Sequence, residues 1–367
     1  MEKNKKRLIL FMPSIEGGGV EKNLFIISNY LSSKIKNIIL ITFDTKFNNS
    51  FNKNIKILNV KKNQKKKYSK YYKYFRCLLL LYKEIKKKKS LVFAFQANVY
   101  CCVMSLLLGF KLITRSNSSP SGWSKNIFKN TIFKILFKVP EKIIVNSIDF
   151  KKEIDKKYQI NSLHIYNPLN KDMIKKMSKN KINSNFFKNA DLKIINVARF
   201  TDQKDHITLL KSICILIKKK INLKLLIMGY GPNFDKINYF IKKNNLGSHV
   251  KISNFDKNPF KFINASNLFI LSSIYEGLPN VLLEAICLKK FVISSNCPTG
   301  PREILKNGKL GMLFLPKDEK GLANKILKYK SNKRKYNNLA LRAYNSLDRF
   351  DYTSNCEKYY KIIDKHI

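Results

Sequence analysis

A chain of 367 residues, 44% hydrophobic and 12% aromatic, has enough apolar content to bury two medium-sized cores, so two domains are expected. Seven cysteines, an odd count with no C-x-x-C pair behind a lysine-rich start, argue against a secreted disulfide framework and predict reduced, mostly buried thiols in a cytoplasmic protein. The 72 basic against 24 acidic residues leave a net charge of +48, which calls for nucleic acid, anionic lipid or a phosphate-rich substrate as partner unless it is a bias of a Lys-, Asn- and Ile-rich composition.

The apolar run Arg7–Pro13 leads into Gly17, Gly18 and Gly19 and then a helical pattern through Tyr30. Strand, glycine loop, helix is the opening unit of a doubly wound sheet. The spacing is not G-x-G-x-x-G, which disfavours a dinucleotide cofactor. Glu21 falls in the first helical turn, where a carboxylate suits the helix dipole. Strands are predicted at 37–43 and 55–60, and 68–89 reads as an aromatic, basic, Leu-rich helix. Its Tyr71, Tyr72, Tyr74 and Phe75 beside Arg76 and Lys86–Lys89 fit a helix lying on an anionic membrane surface, and 123–138 repeats that chemistry with Trp123, Phe128 and Phe133 among Lys125, Lys129 and Lys134. The uncharged run 91–110 is long enough to span a bilayer, but its periodicity reads as strand, helix and the start of another strand. Arg115 and Asn117 are then expected just beyond a strand end, where α/β sheets gather ligand contacts. Strands at 142–146 and 163–166 close the first half, and the polar stretch after Pro168 reads as a linker with a short helix.

The second half restarts the alternation. The strand 192–198 runs into Arg199 and Lys204, two cations flanking a strand end and a helix start, so both can reach an anion placed there. Asp205 is expected to cap the helix 206–220. A strand at 223–228 ends in Gly229, Tyr230 and Gly231, and one at 250–253 in Asn254 and Phe255. The segment Ser272–Ala285, SSIYEGLPNVLLEA, follows an apolar run and reads as strand, tight loop, helix. Pro279 suits the first helical turn, so the N–H groups from Gly277 to Val281 are expected to face out of the helix start as an anion and hydroxyl site. Glu276 and Glu284, with seven residues between them, can accept from two sets of sugar hydroxyls while those N–H groups face the phosphates between, the requirements of a nucleotide sugar. Farther on come 291–294, the loop CPTGPRE at 297–303, and a final amphipathic helix from Asp351.

The E-x7-E element with its Gly-Leu-Pro insert resembles that of the retaining glycosyltransferases of family 4, and the resemblance covers most of the chain. It implies the GT-B arrangement, an α/β fold of two facing Rossmann-like domains with parallel sheets: 1–168 for the acceptor, 169–350 for the donor, and 351–367 as a helix returning to the first domain. By resemblance, Glu284 holds the donor ribose, Glu276 the transferred sugar, and Arg199 and Lys204 the diphosphate, making Glu276, Arg199 and Lys204 the expected catalytic groups. Gly18, Gly19, Phe255, Gly277, Leu278, Pro279 and Asn280 complete the donor site, and Glu21, Arg115 and Asn117 are expected at the acceptor. Many family members carry a His near Arg115, and this chain has none there. The chain has no D-x-D pair, so no metal or other cofactor is expected, and electrostatic stabilisation falls to the cations and N–H groups. The CPTGPRE loop resembles a subgroup building bacterial surface glycans and lipid-linked oligosaccharides. Together these imply transfer of a hexose or N-acetylhexosamine from a nucleotide sugar, with UDP-sugar favoured, to a lipid-linked or cell-surface glycan by a peripheral protein on the inner face of the cytoplasmic membrane. The competing readings are a nucleotide-sugar 2-epimerase of the same fold, which wants acid/base groups this chain is short of, and a nucleic-acid-binding protein. The latter is disfavoured because its lysines are scattered over helix ends where a binding stripe would be expected.

Overall fold

The structure, a computed structural model, describes residues 7–60, 68–117, 127–182 and 185–367. They form two compact units, one of 1–168 together with 352–367, the other of 169–351.

The first unit alternates strand and helix: β1 (Leu8–Phe11), α1 (Gly19–Ser32), β2 (Ile38–Thr42), β3 (Ile55–Asn59), α2 (Lys70–Lys87), β4 (Leu91–Ala94), α3 (Asn98–Leu108), β5 (Leu112–Ser116), α4 (Ile127–Leu136), β6 (Lys142–Val145), α5 (Ile148–Tyr158) and β7 (Leu163–His164). The strands pair in the order β3-β2-β1-β4-β5-β6-β7, every pair parallel. The central strands are continuous apolar runs because both faces are covered. Leu8 and Leu10 of β1 face α1 and the C-terminal helix, Tyr352–His366, whereas Ile9 and Phe11 face α2 and α3. Cys356, Tyr359 and Ile363 of that C-terminal helix are fully buried beside Leu24, Ile27 and Leu31 of α1.

The run 91–110 is a short strand and a helix, ended by Gly109 in the left-handed conformation, φ +68°. Among the described residues no helix is long and apolar enough to cross a membrane. Trp123, Lys125 and the side chains of Phe128 and Lys129 lie outside the described residues. Of the expected aromatic face of α2, Tyr71 and Phe75 are 73% and 59% exposed, but Tyr74 is buried edge-on against Tyr100 of α3, which removes it from any surface role.

The second unit comprises α6 (Lys171–Ser178), β8 (Leu192–Val197), α7 (His206–Lys218), β9 (Leu223–Gly229), α8 (Phe234–Lys243), β10 (Val250–Asn254), α9 (Phe260–Ala265), β11 (Leu268–Leu271), α10 (Asn280–Cys287), β12 (Phe291–Ser295), α11 (Pro301–Ile304), β13 (Met312–Phe314), α12 (Glu319–Ser331) and α13 (Lys333–Asn345). Its strands pair in the order β10-β9-β8-β11-β12-β13, again all parallel. Helices α7, α8 and α12 pack on one face through Leu209, Ile213, Ile237 and Ile326. The short helix expected after Pro168 is α6, and its stretch packs into this unit: Leu169 and Ile174 are buried, and Asn258 donates to the Met177 carbonyl at 2.8 Å.

Candidate functional site

In a doubly wound sheet the strand order reverses at one place, and the loops leaving the carboxyl ends of the two strands there part to opposite faces, opening a crevice. In the second unit those strands are β8 and β11. The loop after β8 carries Arg199 and Lys204, and the loop after β11 carries Glu276 and Gly277. Three hydrogen bonds lace the loops together: Ile274 N–H donates to the Gln203 carbonyl (2.8 Å), Gln203 Nε2 to the Tyr275 carbonyl (2.8 Å), and Ser272 Oγ to the Lys204 carbonyl (2.9 Å). Asp205, φ +44°, caps α7 by accepting from the Thr208 N–H at 3.2 Å, so Lys204 is held immediately before a fixed helix start.

This lacing brings Lys204 Nζ to 2.5 Å from Glu276 Oε1, which also accepts from Ser273 Oγ at 2.6 Å. The pair is largely removed from solvent, with side chains 14% and 7% exposed. A buried carboxylate is tolerated only when charge-assisted hydrogen bonds compensate its lost hydration, and here a cation and a hydroxyl do so. Pro279 stands at the N-cap of α10, one residue earlier than expected, and Asn280 is the first helical residue. Glu284 follows one turn inside, 4% exposed. Glu276, Lys204, Gly277, Leu278, Pro279, Asn280 and Glu284 therefore converge on one loop-helix junction.

Around it, Arg199 stands exposed past β8. Phe255, past β10, meets Tyr230, past β9, edge-on at 5.7 Å. Gly229 is required by packing: a Cβ there would sit 1.9 Å from the Ala198 carbonyl oxygen. His206 opens α7 against the Phe200 ring, and burial, reinforced by Lys204, pushes its pKa down to about 4. Sequence reasoning missed Gln203, Ser273 and Thr299. The Ser272-Ser273 pair after an apolar run was a usable signal, but the partners of Gln203 and Thr299 are distant in sequence.

The expected residues of the first unit are placed within that unit. Gly18 is the N-cap of α1 and Gly19 its first residue, and the Glu21 carboxylate folds back to accept from the Glu16 N–H at 3.4 Å. These flank the reversal between β1 and β4, where Ser14 N–H donates to Gln96 Oε1 at 3.0 Å. Asn117 Nδ2 donates to the Phe95 carbonyl at 3.1 Å. Arg115 is a correction. It lies inside β5 and not beyond its end, fully buried, with Nε donating to Tyr359 Oη on the C-terminal helix at 2.9 Å and an Nη to Asn167 Oδ1 at 2.5 Å. Among the described residues no three His, Cys, Asp or Glu side chains gather as a metal site.

Two parallel α/β units of this kind define the GT-B fold. The chain is similar in fold to Anabaena HepE, solved in complex with UDP and glucose, with a TM-score of 0.79 over 98% of this chain and 99% of that one at 16% identity. Residues 177–346, most of the second unit, match the family of glycosyl transferases group 1. It is 35% identical over 205 residues to an uncharacterized glycosyltransferase of Methanocaldococcus jannaschii, covering 53% of this chain and 50% of that protein. It is 27% identical over 250 residues to the N-acetylgalactosamine-N,N'-diacetylbacillosaminyl-diphospho-undecaprenol 4-alpha-N-acetylgalactosaminyltransferase of Campylobacter jejuni, covering 64% and 66%. The chain thus spans half to about two-thirds of these curated relatives.

Proposed function

We propose that the protein is a retaining glycosyltransferase that moves a hexose or N-acetylhexosamine from a UDP-sugar to a lipid-linked or cell-surface glycan. The observation that carries this reading is the buried Lys204–Glu276 pair at the start of α10, with Glu284 one turn inside. Glu276 accepts from hydroxyls of the transferred sugar, and Glu284 from the ribose. Lys204, Arg199 and the first N–H groups of α10 lie on the diphosphate. As the bond from the anomeric carbon to phosphate breaks, the electron pair leaves with the nucleoside diphosphate, whose growing charge these groups stabilise. The acceptor oxygen bonds to the same face of that carbon, and its proton passes to a donor phosphate oxygen.

The relatives support the chemical class of both substrates: HepE was solved with UDP and glucose, and the Campylobacter enzyme acts on a diphospho-undecaprenol-linked sugar by its name. A second part of the proposal is a metal-free reaction at the inner face of the cytoplasmic membrane, supported by the exposed aromatic stripe and basic end of α2. A thermal-shift panel of UDP-, GDP- and ADP-sugars in excess EDTA tests the donor: UDP-sugars should raise Tm and release UDP in the presence of a polyprenyl-diphosphate sugar. No shift with any nucleotide sugar would overturn the reading, and a shift or turnover that appears only when Mg²⁺ is restored would overturn its metal-free part.

A further inference from the structure

No residue of the loop after β12, CPTGPRE, has a role in the donor site proposed above. This loop is nonetheless built against the loop that carries Glu276. Thr299 is buried, with φ +60°, a left-handed conformation that a β-branched residue enters only under strain. Its hydroxyl lies 2.7 Å from the Glu276 carbonyl and 3.3 Å from that of Gly277. Gly300 follows at φ +66°, and a Cβ on it would lie 1.9 Å from the Gly277 carbonyl oxygen, so the two loops are in backbone contact and only glycine fits. One strand earlier, Ser295 Oγ donates to the Ser273 carbonyl at 2.5 Å, and Ser273 itself holds the Glu276 carboxylate. The segment 273–277 is therefore gripped at one end from the last residue of β12 and at the other from the loop that follows it.

In a planar trans peptide the carbonyl and the N–H point in opposite directions. A hydroxyl that fixes the Glu276 carbonyl therefore fixes the Gly277 N–H on the far side of the same peptide, facing away from Thr299. We propose that Thr299 is a positioning residue, whose hydroxyl aims the Gly277 N–H at the phosphates of the nucleotide sugar and keeps the Glu276 side chain in register with Lys204. This rests on the donor reading given above. Because an aimed donor acts most where charge develops, losing the hydroxyl should lower turnover more than donor affinity.

The comparison is Thr299→Val, which keeps shape and strain and removes the hydroxyl, with Thr299→Ser, which keeps the hydroxyl. Two readouts are taken on each: kcat and KM for release of UDP from the UDP-sugar that the parent turns over, and amide hydrogen exchange of the segment 273–278. Thr299→Val should lose roughly tenfold or more in kcat with KM moved less than about threefold, and its segment should exchange faster. Thr299→Ser should stay near the parent in both. Unchanged exchange in Thr299→Val overturns the proposal whether or not the parent turns over any nucleotide sugar. A serine variant as impaired as the valine one also overturns it, since the backbone and not the hydroxyl is then at fault. Should Thr299→Val not fold, Thr299→Ala carries the same comparison without the branched side chain. A parent that binds no nucleotide sugar, with exchange behaving as expected, sinks the donor reading alone.

Discussion

Lys204 neutralises a carboxylate that has little access to water, so removing it has two consequences. Lys204→Ala should abolish most turnover, and it should destabilise the second unit by about 1–3 kcal/mol by leaving Glu276 with Ser273 alone. Glu284→Gln should weaken donor binding by about 1.5–3 kcal/mol, whereas Glu276→Gln should alter the rate and choice of sugar more than nucleotide affinity. Calorimetry with UDP and urea denaturation separate these outcomes, and parent-like turnover in both Lys204→Ala and Glu284→Gln would reject the assignment. His206 makes a pH prediction. Above pH ~6.5 it is neutral folded or unfolded; below, the unfolded chain takes up a proton that the folded chain refuses until about pH 4. Stability should therefore fall as pH drops through that window, by on the order of 3 kcal/mol from this residue, and His206→Leu should flatten the slope in urea titrations. Glu276 and Glu284 were legible in the sequence because they share one short segment with a helix start. Their pairing with Lys204 was not, since 72 positions separate the partners of that ion pair. Arg115 was misread because β5 continues through it, turning an expected loop cation into a core residue.

At the scale of elements, α2 presents Tyr71, Phe75, Leu79 and Tyr82 at helical spacing on one exposed face, with Lys86 and Lys87 in its last turn. A core helix with solvated lysines would bury that stripe, so α2 is the best element on which to test membrane attachment. Replacing Lys86–Lys89 with Gln should weaken binding to anionic vesicles by roughly 1 kcal/mol per charge, and Phe75→Ser with Leu79→Ser should weaken what remains at high salt. Co-sedimentation across a salt series reads both, and equal pelleting of parent and variants would remove the membrane from the proposal. The strands were legible as apolar runs with turn residues at their ends, and α7 from its Asp205 cap. The short helix α6 was expected after Pro168, but its polar composition gave no sign of the few buried side chains, Ile174 foremost, that decide its place.

For the whole molecule, the first unit is a composite of two distant stretches of chain. Tyr359 is fully buried and its hydroxyl is a partner of the buried Arg115 guanidinium. Tyr359→Phe should therefore destabilise the first unit by about 1.5–3 kcal/mol with little effect on the second, which differential scanning calorimetry would show as movement of one transition. A single transition that shifts as a block would mean that the two units unfold together. The parallel order of both sheets was legible from the strand-helix alternation; the buried tie between β5 and the C-terminal helix was not, because no local pattern marks two residues that meet across the length of the chain.

That composite core also sets an order of events during synthesis. Multidomain chains ordinarily fold from the amino terminus as they emerge. Here the first unit lacks Cys356, Tyr359 and Ile363 until the ribosome has made all of 169–351, so the unit translated second is the first whose core can be completed. In the interval β1, β4 and α1 expose the apolar face that the last helix will cover, and a nascent chain stalled before Tyr352 should be held by chaperones through that face.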